Sequence, residues 1–405
     1  MREQLDRWIG IGSIVAVAAV PTVLVLMPVG KDEPARTTGL SAPSMAAADP
    51  RDSASPAPAD GGSPPPAPAP AGRNSGVLPD IEGTGPGGGD PRSGGGRTGS
   101  AKPSAYVPAD DGARITAVKW SGKRQADISI SSPALGSTQK VRLLVPRGWS
   151  ASATRTWPTL YAFHGGNDTY VSWTRSTDIA KVSAGYDVLV AMPEGSNGSY
   201  ADWYNGGRGG IPKWETFHTL EVRQLLERNF RAGSARAAMG ISSGAQGALT
   251  YAARHPGMFR YAAAYSGVLS MLSPGVPSLL LFINTRAGQD ATRIWGDPTR
   301  DRANWAAHDP TTLAANLRGT GVHVSAGNGS AGPLDETEHA PWDIRYLSES
   351  QVERTSKDFV ARARSVGVPV TSNFYGPGSH TWPYWQREMH ANWPTIMRAI
   401  GARKF

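Results

Sequence analysis

Met239-Gly240-Ile241-Ser242-Ser243-Gly244-Ala245 is a Gly-x-Ser-x-Gly turn between two different kinds of sequence. Before it, residues 235–239 are short and mostly apolar, as a buried strand requires. After it, residues 245–255 read as a helix that Pro256 stops. A strand that enters a helix through one tight turn is the setting of a nucleophile elbow, in which the central serine stands exposed above the sheet edge. The flanking glycines remove side chains that would clash in such a turn. The Ser243 amide then opens the helix, where unpaired N–H groups and the helix dipole favour an anion. The expectation is a serine nucleophile at 242 with Ser243 as one oxyanion donor. A Gly/Ser connector without chemistry is the alternative.

The segments on either side alternate between strand and helix. Residues 126–131 and 141–145 read as antiparallel strands, the second closed by Pro146. Further strands are expected at 159–163, 186–192, 261–265, 322–326 and 368–374. Helices are expected at 214–229, 348–365 and 385–400, with a loop at 376–384. Residues 268–308 show no clean period and are expected to form an insertion over the site. Strands alternating with helices argue for a mostly parallel sheet covered by helices on both faces. With the elbow in place, this is the α/β-hydrolase pattern.

Composition divides the 405-residue chain into three parts. Its 48 Gly and 33 Pro crowd the first quarter. The remainder, about 300 residues of ordinary composition, is enough for one large core. The expected parts are a membrane anchor or signal sequence at 1–30, a disordered linker at 31–104 and an α/β-hydrolase catalytic domain at 105–405. Residues 8–29 are almost wholly apolar, and a run of about 20 such residues spans a bilayer. Arg2 and Arg7 precede that run and place the N-terminus in the cytoplasm. Met27-Pro28-Val29-Gly30-Lys31 follows without a small-residue cleavage site, so an uncleaved transmembrane helix is expected, with a cleaved signal as the alternative. Either way the catalytic domain lies outside the cytoplasm. Pro64-Pro65-Pro66-Ala67-Pro68-Ala69-Pro70 and Gly94-Gly95-Gly96 belong to a segment too poor in apolar surface to offset ordering entropy.

The absence of cysteine excludes disulfides, a thiol nucleophile and cysteine metal ligation. No two histidines stand at helical spacing with a third ligand near, so neither a metal nor another cofactor is expected. The net charge of +8 serves plain solubility first, and also suits contact with anionic wall polymers or lipid head groups. No basic run is interleaved with aromatics, so no nucleic-acid partner is expected.

A serine hydroxyl is a weak nucleophile and needs an adjacent base. In this fold the partners follow in the order Ser, acid, His. Of the 8 histidines, only His380 and His390 follow the last expected strand. His390 falls within the closing helix, whereas His380 lies in the loop Gly378-Ser379-His380-Thr381-Trp382 and is the expected general base. The acid stays open among Asp335, Glu336, Glu338, Asp343, Glu349, Glu353 and Asp358. Asp335 follows a late strand, and Glu349 opens the next helix. The second oxyanion donor is expected at Gly166, in His164-Gly165-Gly166-Asn167 after the strand at 159–163.

The domain resembles the antigen 85 family of secreted mycolyltransferases. The matching pieces are Tyr200-Ala201-Asp202-Trp203-Tyr204, Lys213-Trp214-Glu215-Thr216-Phe217, the elbow and its helix, Ile294-Trp295-Gly296, and Gly378-Ser379-His380-Thr381-Trp382-Pro383-Tyr384-Trp385. They run through about 157–401 and leave the N-terminal segments outside. The resemblance implies that Glu349 is the acid, because Val352 and Phe359 follow it in the family's register. It also implies acyl transfer between sugar esters, trehalose mycolates above all, in the cell envelope, with an acyl ester or glycolipid as donor and a sugar as acceptor. The family carries an Asp and an Arg where His164 and Asn167 stand here, which moves the expectation toward hydrolysis. His164 and Asn167 are expected to face the substrate, and Trp203, Trp295 and Trp382 to offer stacking platforms to a sugar ring. A plain secreted carboxylesterase and a noncatalytic wall- or matrix-binding protein on the same fold are the competing readings.

Overall fold

Along Gln125–Ser132 partly covered and buried residues alternate, with Ala126, Ile128 and Ile130 sealed. That period of two marks a strand with one well-covered face. By contrast Leu189–Pro193 and Tyr261–Tyr265 are buried at every position, as central strands covered on both sides must be. The structure is a computed structural model that describes residues 106–336 and 343–405. The strands are β1 (Arg114–Ser121), β2 (Gln125–Ser132), β3 (Ser137–Leu144), β4 (Trp157–Phe163), β5 (Leu189–Pro193), β6 (Ala232–Ile241), β7 (Tyr261–Tyr265), β8 (Gly321–Ala326) and β9 (Val370–Phe374). They form one nine-stranded sheet in the order β1-β2-β3-β5-β4-β6-β7-β8-β9. The β1, β2, β3 and β5 neighbours pair antiparallel. From β5 across to β9 all pairings are parallel.

Successive residues of the central strands feed two separate cores. Tyr161, Phe163, Ala238, Ala264 and Val324 pack with the elbow helix Ser243–Arg254 and with Phe359 of the helix Ile344–Ser365. Leu160, Ala162, Met239, Ile241 and Ala263 pack on the other face with Trp385, Met389, Trp393 and Ile396 of the closing helix Trp382–Ala399. Helices therefore cover both faces of a mostly parallel sheet, as expected.

The order also fixes where a site can be. After β4 the chain crosses to β5 on one side and then to β6 on the other. At such a switch point the loops leaving the carboxyl ends of the strands part and leave a crevice. The loops after β4 and β6 carry Gly165-Gly166 and Ser242.

Several expected bounds move. β1 is an additional edge strand, and the helix expected from 348 begins at Ile344. The expected insertion at 268–308 contains the helices Val276–Arg286, Ala291–Trp295 and Arg302–Ala306. Among the described residues no helix is long and apolar enough to cross a membrane. The expected span at 8–29 and the linker at 31–104 lie outside the described residues.

Candidate active site

Ser242 sits between β6 and its helix at φ 52° and ψ −121°. A non-glycine residue held there carries roughly 1–3 kcal/mol of strain and persists only when its surroundings hold it. Its own N–H donates to the Tyr265 carbonyl at 3.0 Å, and its carbonyl accepts from the Ala245 N–H at 3.0 Å. The two glycines are needed sterically. A Cβ on Gly240 would lie 2.1 Å from the Gly244 oxygen, and one on Gly244 would lie 2.4 Å from the His164 oxygen.

The imidazole of His380 meets Glu349, with Nδ1 to Oε2 at 2.6 Å. Glu349 is fully buried, in the inward stripe of its helix with Val352 and Phe359. A carboxylate sealed from water needs donors around it. Its Oε1 accepts from Ser266 Oγ at 2.7 Å and from the Gly327 N–H at 2.8 Å. Trp385 closes the network, since its indole N–H donates to Ser266 Oγ at 3.0 Å while its ring meets the His380 ring edge-on at 5.0 Å. The His380 N–H donates to the Arg345 carbonyl at 2.9 Å, which pins the base to the helix of Glu349.

The other carboxylates have other partners. Asp335 accepts from Ser379 Oγ, from Tyr384 Oη at 3.0 Å and from the Gly332 N–H at 2.8 Å, so it braces the His380 loop from behind. Glu353 pairs with Lys357 at 3.0 Å, Asp358 accepts from Ser273 Oγ, and Asp343 caps its helix through the Arg345 N–H. Glu336 is exposed, and Glu338 lies outside the described residues. His390 lies half-exposed on the closing helix and meets Asp178 at 2.5 Å.

Two hollows meet at Ser242 and Gly166. One, of about 260 Å³, is lined by His380, Thr381, Trp382, Trp385 and Asp168. The other, of about 100 Å³, runs between Ser243, Gln246, Leu280, Ile283, Asn284 and Trp295. Gly166 and Ser243, the expected oxyanion donors, both line the second hollow beside Ser242. A wider depression of about 720 Å³ lies at the opposite end of the strands, among Tyr261, Val322, Arg364 and Val370. It is lined by none of Ser242, Glu349 and His380. His380 and Ser242 share the first hollow without a hydrogen bond between them, a looseness usual before substrate binds.

The expected substrate contacts need correction. His164 is buried and lines neither hollow. Its Nδ1 donates to the Gly165 carbonyl at 2.7 Å, and its Nε2 accepts the Gly195 N–H at 2.8 Å, with Glu194 Oε1 3.3 Å away. The pattern assigns a neutral ring with the proton on Nδ1. Burial pushes the Glu194 carboxyl up, and the Ser196 and Tyr170 N–H groups that donate to it help hold it below its ordinary range. Asn167 does reach a hollow, but its N–H and side-chain oxygen are both engaged by the Asn197 amide, at 2.7 and 2.9 Å. Trp203 is buried, donates to the Gly198 carbonyl at 3.1 Å and has Arg293 over its ring, so it offers no free face. Trp295 is packed against Trp305 and nearly buried, yet it lines the second hollow beside Ser242. Only Trp382 of the three lies partly exposed in the hollow of His380.

His164→Leu should therefore act on stability. It orphans the Gly195 N–H and the Gly165 carbonyl, and each buried polar group left unpaired costs about 1–3 kcal/mol. A fall of about 2–6 kcal/mol in unfolding free energy is expected from denaturant titration, with KM for an alcohol acceptor little changed. A large rise in that KM at unchanged stability would restore His164 to the substrate.

Sequence reasoning missed Ser266, Gly327, Asp168, Asn197 and Asn284. Asp168 stands in the His380 hollow, joined to Arg175 at 2.8 Å, and brings charge where Asn167 brings none. The Lys-Trp-Glu-Thr-Phe piece has a structural meaning instead. Buried Glu215 binds Arg254 at 2.8 Å and His255 at 2.7 Å, and so ties the end of the elbow helix down.

An elbow serine with a paired imidazole and carboxylate, on a sheet of this order, defines a serine hydrolase of the α/β-hydrolase class. Residues 132–396 match the family described as "Putative esterase". The chain is 32% identical over 321 residues to the diacylglycerol acyltransferase/mycolyltransferase Ag85A of Mycobacterium tuberculosis, covering 76% of this chain and 91% of that one. It is 30% identical over 286 residues to Ag85B of Mycolicibacterium smegmatis, covering 68% and 85%. Among solved structures it resembles Mycobacterium tuberculosis MPT51 at TM-score 0.56 and 23% identity, covering 70% of this chain and 100% of that one. It resembles an S-formylglutathione hydrolase from Agrobacterium tumefaciens at 0.54 and 17%, covering 71% and 99%. These two likenesses bear on the fold. The chain belongs to this esterase family, with the antigen 85 mycolyltransferases among its relatives, and is an ester hydrolase or acyltransferase.

Proposed function

We propose that the chain is an exported serine esterase/acyltransferase acting on acyl esters of the cell envelope, with Ser242 as nucleophile, His380 as general base and Glu349 as the acid that orients it. The observation that carries this reading is the 2.6 Å contact between buried Glu349 and the ring that shares a hollow with the elbow serine. With Nδ1–H held by Glu349, the Nε2 lone pair takes the Ser242 proton as Oγ bonds to the ester carbonyl carbon. The carbonyl oxygen becomes an anion and is met by the Gly166 and Ser243 N–H groups. Nε2–H then protonates the leaving alcohol as its C–O bond breaks, which leaves an acyl-Ser242. Water or a second alcohol enters on the His380 side and gives its proton to Nε2 as it bonds to the acyl carbon; the acyl–Oγ bond then breaks as Nε2–H returns the proton to Ser242 Oγ, freeing acid or new ester.

Whether water or an alcohol wins depends on how well the alcohol is positioned, a contribution that reaches several kcal/mol. Asn167 is tied to Asn197 and lacks the charged fork of an arginine. The reading therefore favours hydrolysis, with Trp382 as the remaining sugar-facing ring. In a competition assay with a short acyl ester, water and rising trehalose, free acid should stay the main product. Trehalose ester that grows in proportion to trehalose, at the expense of acid, would restore the transferase reading in full. The apolar run at 8–29 supports a membrane anchor. The intact chain should then fractionate with membranes, and cleavage engineered after Gly30 should release it. Exported protein whose N-terminus begins within the linker would favour a cleaved signal.

A further inference from the structure

The expected oxyanion donor at Gly166 lies in a pair of glycines, and glycine does little to fix its own backbone. Gly166 lines both hollows beside Ser242. Its N–H has no acceptor among the described residues, as a donor kept for substrate requires. A donor of this kind works only if it already points at the place where charge will develop. The glycines cannot supply that direction, so neighbouring groups must.

The peptide groups on either side of the Gly166 Cα are both held from outside. The first joins Gly165 to Gly166, and its carbonyl accepts from His164 Nδ1 at 2.7 Å. In a planar trans peptide the N–H points opposite to the carbonyl. The buried ring of His164, which lines neither hollow, therefore turns the Gly166 N–H away from itself. The second peptide joins Gly166 to Asn167. Its N–H donates to Asn197 Oδ1 at 2.7 Å, and Asn197 Nδ2 donates back to Asn167 Oδ1 at 2.9 Å. These two bonds close a clasp around a residue held at φ 55°. A non-glycine residue stays in that region only where its surroundings fix it. Both supports start from the segment after β5. His164 Nε2 accepts the Gly195 N–H at 2.8 Å, two residues before Asn197. Glu194 joins that segment to the loop after β4, since it accepts from the Ser196 N–H at 2.9 Å and from the Tyr170 N–H at 3.2 Å.

On the proposed acyl-enzyme reading, we infer that Asn197 is a positioning residue for the reaction: through its clasp on Asn167 it holds the Gly166 N–H on the oxyanion, while His164 holds the same loop from the other side.

Asn197→Ala removes both bonds of the clasp at a part-exposed position and leaves Ser242, His380 and Glu349 untouched. Two quantities are measured on the full chain and on the variant. One is hydrolysis of 4-nitrophenyl butyrate. The other is inhibition by a butyl trifluoromethyl ketone, whose adduct with Ser242 carries a full oxyanion. Removing an oxyanion donor outright costs about 10²–10³ in kcat, so loosening one should cost about tenfold. The Ki of the ketone should rise by a matching factor, with KM within about twofold of wild type, because the lost interaction is made only in the transition state. Plain structural damage reads differently, since a smaller active fraction lowers kcat and leaves Ki where it was. Asn167→Gly covers an Asn197→Ala protein that fails to fold. Glycine takes a φ of 55° without strain and keeps the N–H bond to Asn197 but drops the Oδ1 acceptor. The same paired change in kcat and Ki should appear there at about threefold. A kcat and Ki that both stay at wild type, a rise in KM at unchanged kcat, or a fall in kcat with Ki unmoved overturns the inference. If the full chain neither hydrolyses the ester nor binds the ketone, the acyl-enzyme reading itself falls and the inference with it.

Discussion

Ser242→Ala should abolish covalent labelling by a fluorophosphonate probe and lower kcat on a short acyl ester by about four to six orders of magnitude. The loss is large because nucleophile and base act as one unit, so removing either removes the acyl-enzyme route altogether. What remains is the catalysis that oxyanion donors and binding give to a direct attack by water. The substitution tests the chemistry without testing the fold. Alanine occupies the same φ of 52° at the same strain, and the backbone bonds that hold the turn, Ser242 N–H to Tyr265 and Ala245 N–H to Ser242, need no hydroxyl. Thermal melting of the variant should therefore match the wild type. Labelling that persists undiminished in Ser242→Ala would move the nucleophile elsewhere.

The elbow was legible in the sequence because its causes are local. Glycines at 240 and 244 are needed by contacts within a few residues or with the adjoining β4 loop, and the flanking strand and helix show in their own apolar patterns. The carboxylate that meets His380 was not legible from the residues alone. Seven carboxylates lie between Ser242 and His380 in suitable places, and the choice depends on burial and on donors from Ser266 and Gly327, which are far away in sequence. The register shared with the antigen 85 family pointed to Glu349, and the geometry sets that side chain against His380. His164 shows the opposite case. His-Gly-Gly reads the same whether the ring faces substrate or folds back, and only the packing of Gly195 and Glu194 decides. The helix Val276–Arg286 was lost for want of period. Its run Leu279-Leu280-Leu281-Phe282-Ile283 is apolar throughout, yet only Val276, Leu280 and Asn284 are buried, while Phe282 and Ile283 face solvent. The edge strand β1 hid for a related reason, since Ile115 is its one buried residue and no alternation shows.

Glu349→Gln should lower kcat by about 10⁴, the size of loss seen when a triad acid becomes its amide. The direction follows from the donors around the carboxylate. Oε1 receives hydrogen bonds from Ser266 Oγ and the Gly327 N–H, so a glutamine must place its carbonyl oxygen there. Its NH₂ group then faces His380 Nδ1, where the carboxylate now accepts. A donor at that position forces the imidazole into the tautomer with its proton on Nε2, and this ring cannot take the Ser242 proton. The imidazolium formed during attack also loses its counter-charge. Asp335→Asn should behave differently, because Asp335 meets Ser379, Tyr384 and the Gly332 N–H but not the imidazole. A loosened loop lowers kcat by about tenfold or less, since the lost bonds contribute about 0.5–1.5 kcal/mol each. Glu353→Gln removes only a surface pair with Lys357, and such pairs contribute little. Its activity should stay within about twofold of wild type. The pH profile separates positioning from damage. Glu349→Gln should retain wild-type melting and regain rate as hydroxide replaces the base, whereas a merely unfolded variant would gain nothing at high pH. If Asp335→Asn proved the crippling change and Glu349→Gln the mild one, the acid would follow β8 directly and Glu349 would be a buried brace for Ser266.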